Sequence, residues 1–325
     1  MKTINEHIEK QQFKPVYLLY GEERYLVTQF RDKLRNALLG DGDKMNVSVY
    51  EGNSINVKEV IDMAETLPFF AERKIIIIED SGMLKNSNDV MADYIKNIPD
   101  TTVFLFVEEE VDKRNRLYKA IKDKGYVCEL NFQNENVLKR WIKGQLAPYG
   151  VSIDDGASEL LLEKSGVSMT RISTELLKLV SYVGDRKNVT REDVSEIVTT
   201  VVTNRIFDMI TAMAAKRQKE AMDMYYDLLT LKEPPMRILF LIARHFNLLM
   251  QIKEMSVKYV DEATMSKTAG LPSFLVGKYK AQSRSFSKEQ LLSAVRTCVE
   301  VEERVKTGRL EDRLGVELII VKYSC

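Results

Sequence analysis

Five short apolar runs most constrain what this chain can fold into: PVYLLYGEE from Pro15, NVSVYEG from Asn46, KIIIIED from Lys74, TTVFLFVEE from Thr101 and YVCEL from Tyr126. Four are nearly continuous in apolar residues, and only NVSVYEG alternates. Segments of helical spacing separate them. A run apolar on both faces suits a strand covered on both sides, and strands alternating with helices form a parallel sheet. After the first run, Leu26, Phe30, Leu34 and Leu38 recur at helical spacing. A second helix is expected from Ser54 as N-cap, with Val57, Val60, Ile61, Ala64 and Leu67 on one face. Pro68 is expected to end it, because the residue before a proline is pushed out of the α region. Further helices are expected around Val90 to Ile98 and over RLYKAIKDKG.

After NFQNEN the pattern becomes helical throughout. VTREDVSEIVTT reads as a helix with Thr190 as cap and Asp193 three residues on, a loose capping box. From about Asn204 every segment reads as a long amphipathic helix, IFDMITAMAAKRQKEAMDMYYDLLTL among them. The expected layout is an α/β domain over residues 1–133, a small helical domain over 134–203 and a larger helical domain over 204–325. A chain of 325 residues fits two or three domains.

Charge and residue usage narrow the function classes. Lys+Arg and Asp+Glu number 48 each, so no overall basic field advertises nucleic acid. Cys128, Cys298 and Cys325 form no CxxC pair, and His7 and His245 are the only histidines. No disulfide framework, zinc site or His-rich metal site is expected, and a reducing cytoplasm fits. MKTINEHIEKQQFK has no apolar h-region and does not read as a signal peptide. No apolar stretch reaches the length of a membrane span. No nucleophile–base–orienter set can be assembled. His245, in ILFLIARHFNLLM, reads as a packed or interfacial histidine, and Trp141 as a core anchor of the second domain.

A strand, a glycine turn and a helix at the start of a parallel sheet is where a P-loop sits. That loop needs GxxxxGK[ST], whose amides cradle phosphate while its lysine neutralises it and its hydroxyl holds magnesium. Counting from Gly21, Leu26 stands at the second glycine, Val27 at the lysine and Thr28 at the hydroxyl position. Only the threonine survives, and Glu22 and Glu23 add negative charge. Two readings stand: an ordinary βα turn, or a nucleotide-binding architecture that has lost its nucleotide. Glu79 and Asp80 stand either for a relic of a Walker B strand or for charged residues ending a buried one. VEEEVDKRNR reads mainly as a solvated loop, with Arg114 or Arg116 available to a neighbour.

One stretch fits none of this. In LPFFAERKIIIIED, Pro68, Phe69 and Phe70 sit where a helix hands over to a loop, and loops are normally at the surface. The ordered set PVYLLYGEERYL, LPFFAERKIIIIED, TVFLFVEEEVDKRNRLYKAI, ELLKLVSYVG, VTREDV, EPPMRILFLIARHFNLL and VKTGR resembles the delta-subunit family of the bacterial DNA polymerase III clamp loader, across essentially the full chain. The resemblance implies an AAA+-like α/β body of P-loop NTPase architecture without a working ATP site, a lid-like helical domain and a helical collar. It implies no cofactor and no intrinsic catalysis, the nucleotidyltransferase activity belonging to the polymerase holoenzyme. It implies as partners the sliding clamp (beta), the gamma/tau ATPase subunits, the delta-prime subunit and primed DNA, in a cytoplasmic, nucleoid-associated replisome.

In that family the clamp contact is a short helix carrying a hydrophobic pair just before the third strand. The corresponding positions here are Leu67, Pro68, Phe69 and Phe70, with Phe–Phe where leucine–phenylalanine is the commoner pair. Arg114, Arg116, Lys306 and Arg309, with Arg304 and Arg313 nearby, are candidate contacts to DNA or a neighbouring subunit. The alternatives are an active AAA+ ATPase, which the missing lysine and second glycine oppose, and a stand-alone DNA-binding protein, which the charge balance opposes.

Overall fold

A computed structural model describes residues 2–40, 44–86, 88–271 and 273–324. The chain divides into two compact units, Met1–Phe132 with Ser168–Thr170, and Gln133–Val167 with Arg171–Cys325.

The first unit is the expected α/β body. Its helices are α1 (Lys2–Glu9), α2 (Arg24–Leu39), α3 (Val57–Glu65), α4 (Asp89–Tyr94) and α5 (Arg116–Lys124). Its strands are β1 (Val16–Tyr20), β2 (Val47–Glu51), β3 (Lys74–Glu79), β4 (Thr102–Glu108) and β5 (Tyr126–Glu129). All pairings are parallel, in the order β2-β3-β4-β1-β5. The continuous apolar runs are explained by position: β1, β3 and β4 are interior strands, and every residue of β1 and β4 is buried. The alternating run, β2, is an edge strand with Val49 exposed.

Side-chain alternation gives the sheet two apolar faces. Leu18, Ile76, Ile78, Phe104 and Phe106 join a core cluster with Val60 and Ala64 of α3, Met91 of α4 and Leu117 of α5. Helix α2 contributes Leu26, Val27, Phe30, Leu34 and Leu38, all buried, and meets β1, β3 and β4. Helix α1 is an element that the sequence reading did not anticipate; its Ile4 is fully buried.

Two local expectations need correction. Helix α3 is capped by Asn56, whose side chain accepts from the Lys58 amide, and not by Ser54. It ends at Glu65 with Thr66 extended, two residues before the proline, so Leu67 lies outside the helix and is exposed.

The second unit is helical. Its first part holds α6 (Glu135–Leu146), α7 (Asp155–Ser165), α8 (Met169–Val183, whose first two residues belong to the first unit) and α9 (Arg191–Ile197), with a two-residue parallel pair of β6 (Ser152–Ile153) and β7 (Asn188–Val189). The capping box at Thr190 and Asp193 forms as expected. Trp141 is half-buried on α6. Seven helices follow: α10 (Val202–Ala214), α11 (Gln218–Thr230), α12 (Pro235–Val257), α13 (Glu262–Ala269), α14 (Ser273–Ser283), α15 (Lys288–Lys306) and α16 (Asp312–Tyr323). The run from Ile206 is therefore two helices, broken where Lys216 adopts a left-handed φ of 60°. Helix α12 lies at the centre and meets α10, α13, α14, α15 and α16. Its His245 is buried, bonded through Nε2 to Gln282 Oε1 at 2.6 Å, as the packed reading expected.

Candidate partner-binding site

The segment between α3 and β3 is pinned at both ends and exposed in its middle. At the α3 end the last carbonyls need donors, as at any helix C-terminus. The Thr66 hydroxyl donates to the Met63 carbonyl at 2.7 Å, and the Thr102 hydroxyl to the Ala64 carbonyl at 2.8 Å. The ammonium of buried Lys74 donates to the Thr66 hydroxyl and reaches the Met63 carbonyl at 3.5 Å, its positive charge favourably placed at the negative end of the helix dipole. At the other end the Arg73 guanidinium lies 5.2 Å from the centre of the Phe13 ring.

Between these anchors Asn46 holds the backbone of Phe69. The Phe69 N–H donates to Asn46 Oδ1 at 2.6 Å, and Asn46 Nδ2 donates to the Phe69 carbonyl at 2.8 Å. Asn46 is only 1% exposed and ends the single 3₁₀ turn that leads into β2. It was missed in the sequence because its partner lies 23 residues away and no local pattern links the two.

The held residues face outward. Leu67 is 80% exposed, Phe69 51% and Phe70 92%. The two rings meet edge to face, with centroids 4.7 Å apart. Met45, beside Asn46 in the chain, adds another exposed apolar side chain. Phe70 has a φ of +46°, unusual for a bulky residue and costly by about 1–3 kcal/mol. The resemblance implied a short helix here. The structure instead has a bent, non-helical loop from Thr66 to Arg73. Pro68 and the extended Thr66 bar continuation from α3, and left-handed Phe70 bars a new helical turn.

The second site is the turn between β1 and α2. Only Gly21, Glu22 and Glu23 connect the two elements. Gly21 has a φ of +135°, and an added Cβ would lie 2.5 Å from the Leu130 carbonyl oxygen, so both the conformation and the space require glycine. Glu23 occupies the mouth of α2, the place where a phosphate would meet free amides. Its carboxylate accepts from the Tyr25 amide at 3.2 Å and from the Met169 amide at 3.0 Å. It is 1% exposed, and burial raises its pKa above the usual carboxylate range, against the lowering effect of the two amides. Leu26 and Val27 are buried in the core and Thr28 is exposed on α2. Leu26, Val27 and Thr28, counted onto the P-loop, thus already belong to a helix.

The carboxylates at the end of β3 also have partners. Glu79 accepts from Arg31 at 2.9 Å, and Asp80 pairs with Arg24 at 3.0 Å. Buried Glu108, ending β4, accepts from the Ser81 amide at 3.1 Å. Among the described residues there is no cluster of three or more His, Cys, Asp or Glu side chains able to hold a metal.

Three of the four candidate basic residues already hold carboxylates of their own unit. Arg114 pairs with Asp112 at 3.0 Å, and Arg116 with Asp89 and Asp93, both at 3.1 Å. Lys306 pairs with Glu302 at 2.6 Å. Arg309 is exposed just after Gly308, whose φ of +71° follows the end of α15.

The class is now defined: an α/β body built on a five-stranded parallel sheet, with a three-residue turn after its first strand and an exposed aromatic loop before its third, followed by a helical region. The chain belongs to the DNA polymerase III delta-subunit family. The family model "DNA polymerase III, delta subunit" matches residues 17–131, and "DNA polymerase III delta subunit, C-terminal domain" matches residues 203–323. Its sequence is 26% identical to the DNA polymerase III subunit delta of Bacillus subtilis (strain 168), covering 97% of this chain and 94% of that one. It is 21% identical to the probable DNA polymerase III subunit delta of Aquifex aeolicus (strain VF5), covering 86% and 83%. The solved structure of the Bacillus subtilis DNA clamp loader delta protein superposes with a TM-score of 0.71 at 25% identity, covering 99% of each chain.

Proposed function

We propose that this chain is the clamp-gripping subunit of a DNA polymerase III clamp loader, and that Leu67, Pro68, Phe69 and Phe70 form its contact with the sliding clamp. The observation that carries the reading is the exposed Phe69–Phe70 pair on a loop whose backbone is held from behind by Asn46. An aromatic pair displayed on a fixed loop suits a pocket on a partner, and such anchors commonly dominate an interface. Its function is to bind the clamp and favour the open ring, so that the ring can be placed on primed DNA during replication. A binder shifts that equilibrium only by its differential affinity for the open form.

The chain does not hydrolyse ATP in this reading. Support comes from the three-residue β1–α2 turn and from Glu23, whose carboxylate holds the Tyr25 amide at the mouth of α2 together with the Met169 amide. The gamma/tau subunits supply the ATPase, and delta-prime completes the assembly in a cytoplasmic replisome. The chain is read as three parts, residues 1–133, 134–203 and 204–325, the last serving as the collar. Arg114, Arg116, Lys306 and Arg309 are assigned to DNA phosphate or a neighbouring subunit. The first three hold carboxylates of this chain, so a phosphate must displace those partners.

The test is binding of the purified chain to the sliding clamp of its own organism, beside Phe69→Ala/Phe70→Ala, with circular dichroism to show that the variant folds. A loss of about tenfold or more supports the reading. Equal binding by both chains removes the phenylalanines from the interface, and absence of binding by either refutes clamp gripping.

A further inference from the structure

We infer that Asn46 is a positioning residue for clamp binding, one that keeps the Phe69–Phe70 loop in its binding shape before the partner arrives. The inference rests on the clamp-contact reading above and adds a residue in a different segment, outside the loop itself. Its side-chain amide does what a neighbouring strand does: it accepts from Phe69 N–H and donates to Phe69 C=O, at 2.6 and 2.8 Å. The two bonds use both polar ends of one buried side chain, so any residue without a primary amide of that length loses at least one. They act on the residue that precedes Phe70, whose left-handed backbone needs support from its surroundings.

A loop free to sample other shapes binds through the fraction of molecules that hold the competent one, and the apparent affinity falls by that fraction. Asn46 raises that fraction without touching the clamp.

The experiment uses the full chain and its own sliding clamp, with Asn46→Ala made both in the wild type and in Phe69→Ala/Phe70→Ala. The near-isosteric Asn46→Asp, which keeps an acceptor for Phe69 N–H and loses the donor, replaces the alanine variant if that fails to fold. Amide hydrogen exchange is followed in the free chains. Expected results are faster exchange at the Phe69 amide with unchanged protection of Ile75 to Ile78, and clamp affinity about tenfold lower (about 1.4 kcal/mol). In the background lacking both rings, the Asn46 change then alters residual binding less than about twofold, because its effect passes through them. An equal loss in both backgrounds, or wild-type affinity despite faster exchange at Phe69, overturns the inference. If Phe69→Ala/Phe70→Ala itself binds like wild type, the clamp-contact reading fails, while exchange at Phe69 still decides whether Asn46 holds the loop.

Discussion

The difference in exposure between the two rings predicts which is the deeper anchor. Phe70 is 92% exposed in the free chain and Phe69 51%, so Phe70 has nearly its whole ring to bury on a partner and Phe69 about half. Full burial of a phenylalanine is worth about 1.5–3 kcal/mol. Scaled by exposure, Phe70 stands to gain about 1.4–2.8 kcal/mol and Phe69 about 0.8–1.5. The edge-to-face contact between them already exists in the free chain and adds nothing on binding. Phe70→Ala is therefore expected to weaken clamp affinity roughly tenfold to a hundredfold, and Phe69→Ala roughly threefold to tenfold. Stability should stay within about 0.5 kcal/mol for Phe70→Ala, because the ring is exposed and alanine meets the same left-handed backbone strain. Calorimetric titration against the clamp, with thermal melts of each variant, reads both quantities. The reasoning is refuted if Phe69→Ala costs more than Phe70→Ala, or if Phe70→Ala unfolds the chain.

Two further predictions concern buried groups. Burial lowers the His245 pKa from the usual 6.5 to about 4, so the unfolded chain binds more protons between those values. Stability is full above about pH 6.5 and is lost as pH falls towards 4, by roughly 3 kcal/mol at most. His245→Leu should flatten that part of a pH series of denaturant melts, and an unchanged slope would assign it to other groups. At the mouth of α2, Glu23→Ala leaves the part-buried Tyr25 amide and the buried Met169 amide without their carboxylate and should destabilise by about 1–3 kcal/mol. Magnesium-ATP at saturating concentration should not shift the melting temperature of the wild type, and a clear upward shift would reveal a nucleotide site.

Much of the α/β body was legible because strand burial leaves a direct trace in composition. Ile75 to Ile78 and Val103 to Val107 are apolar on both faces because helices cover both faces, and Val47 to Glu51 alternates because it lies at the edge. The aromatic pair was legible as an anomaly, since Pro68 rules out a helix interior. Its support was not. Asn46 looks like any turn asparagine until the fold brings Phe69 to it, and the left-handed state of Phe70 leaves no mark on an aromatic residue. The paired strands β6 and β7 are two residues each, too short for a period to show. The break between α10 and α11 was hidden because KRQ suits a helix surface as well as a turn, and nothing local marks Lys216 as left-handed.

The short turn at Gly21 also limits what substitution can make of it. Changing Leu26 and Val27 to glycine and lysine would not create a phosphate loop, because both side chains point into the core from a helix that begins at Arg24. Building one requires inserted residues, a new start for α2, and another partner for the amides that Glu23 now satisfies. Each of these steps alone disrupts buried packing or orphans a donor, and none is useful without the others. Packing and capping together hold this geometry, so no exchange of one or two side chains turns it into a phosphate cradle.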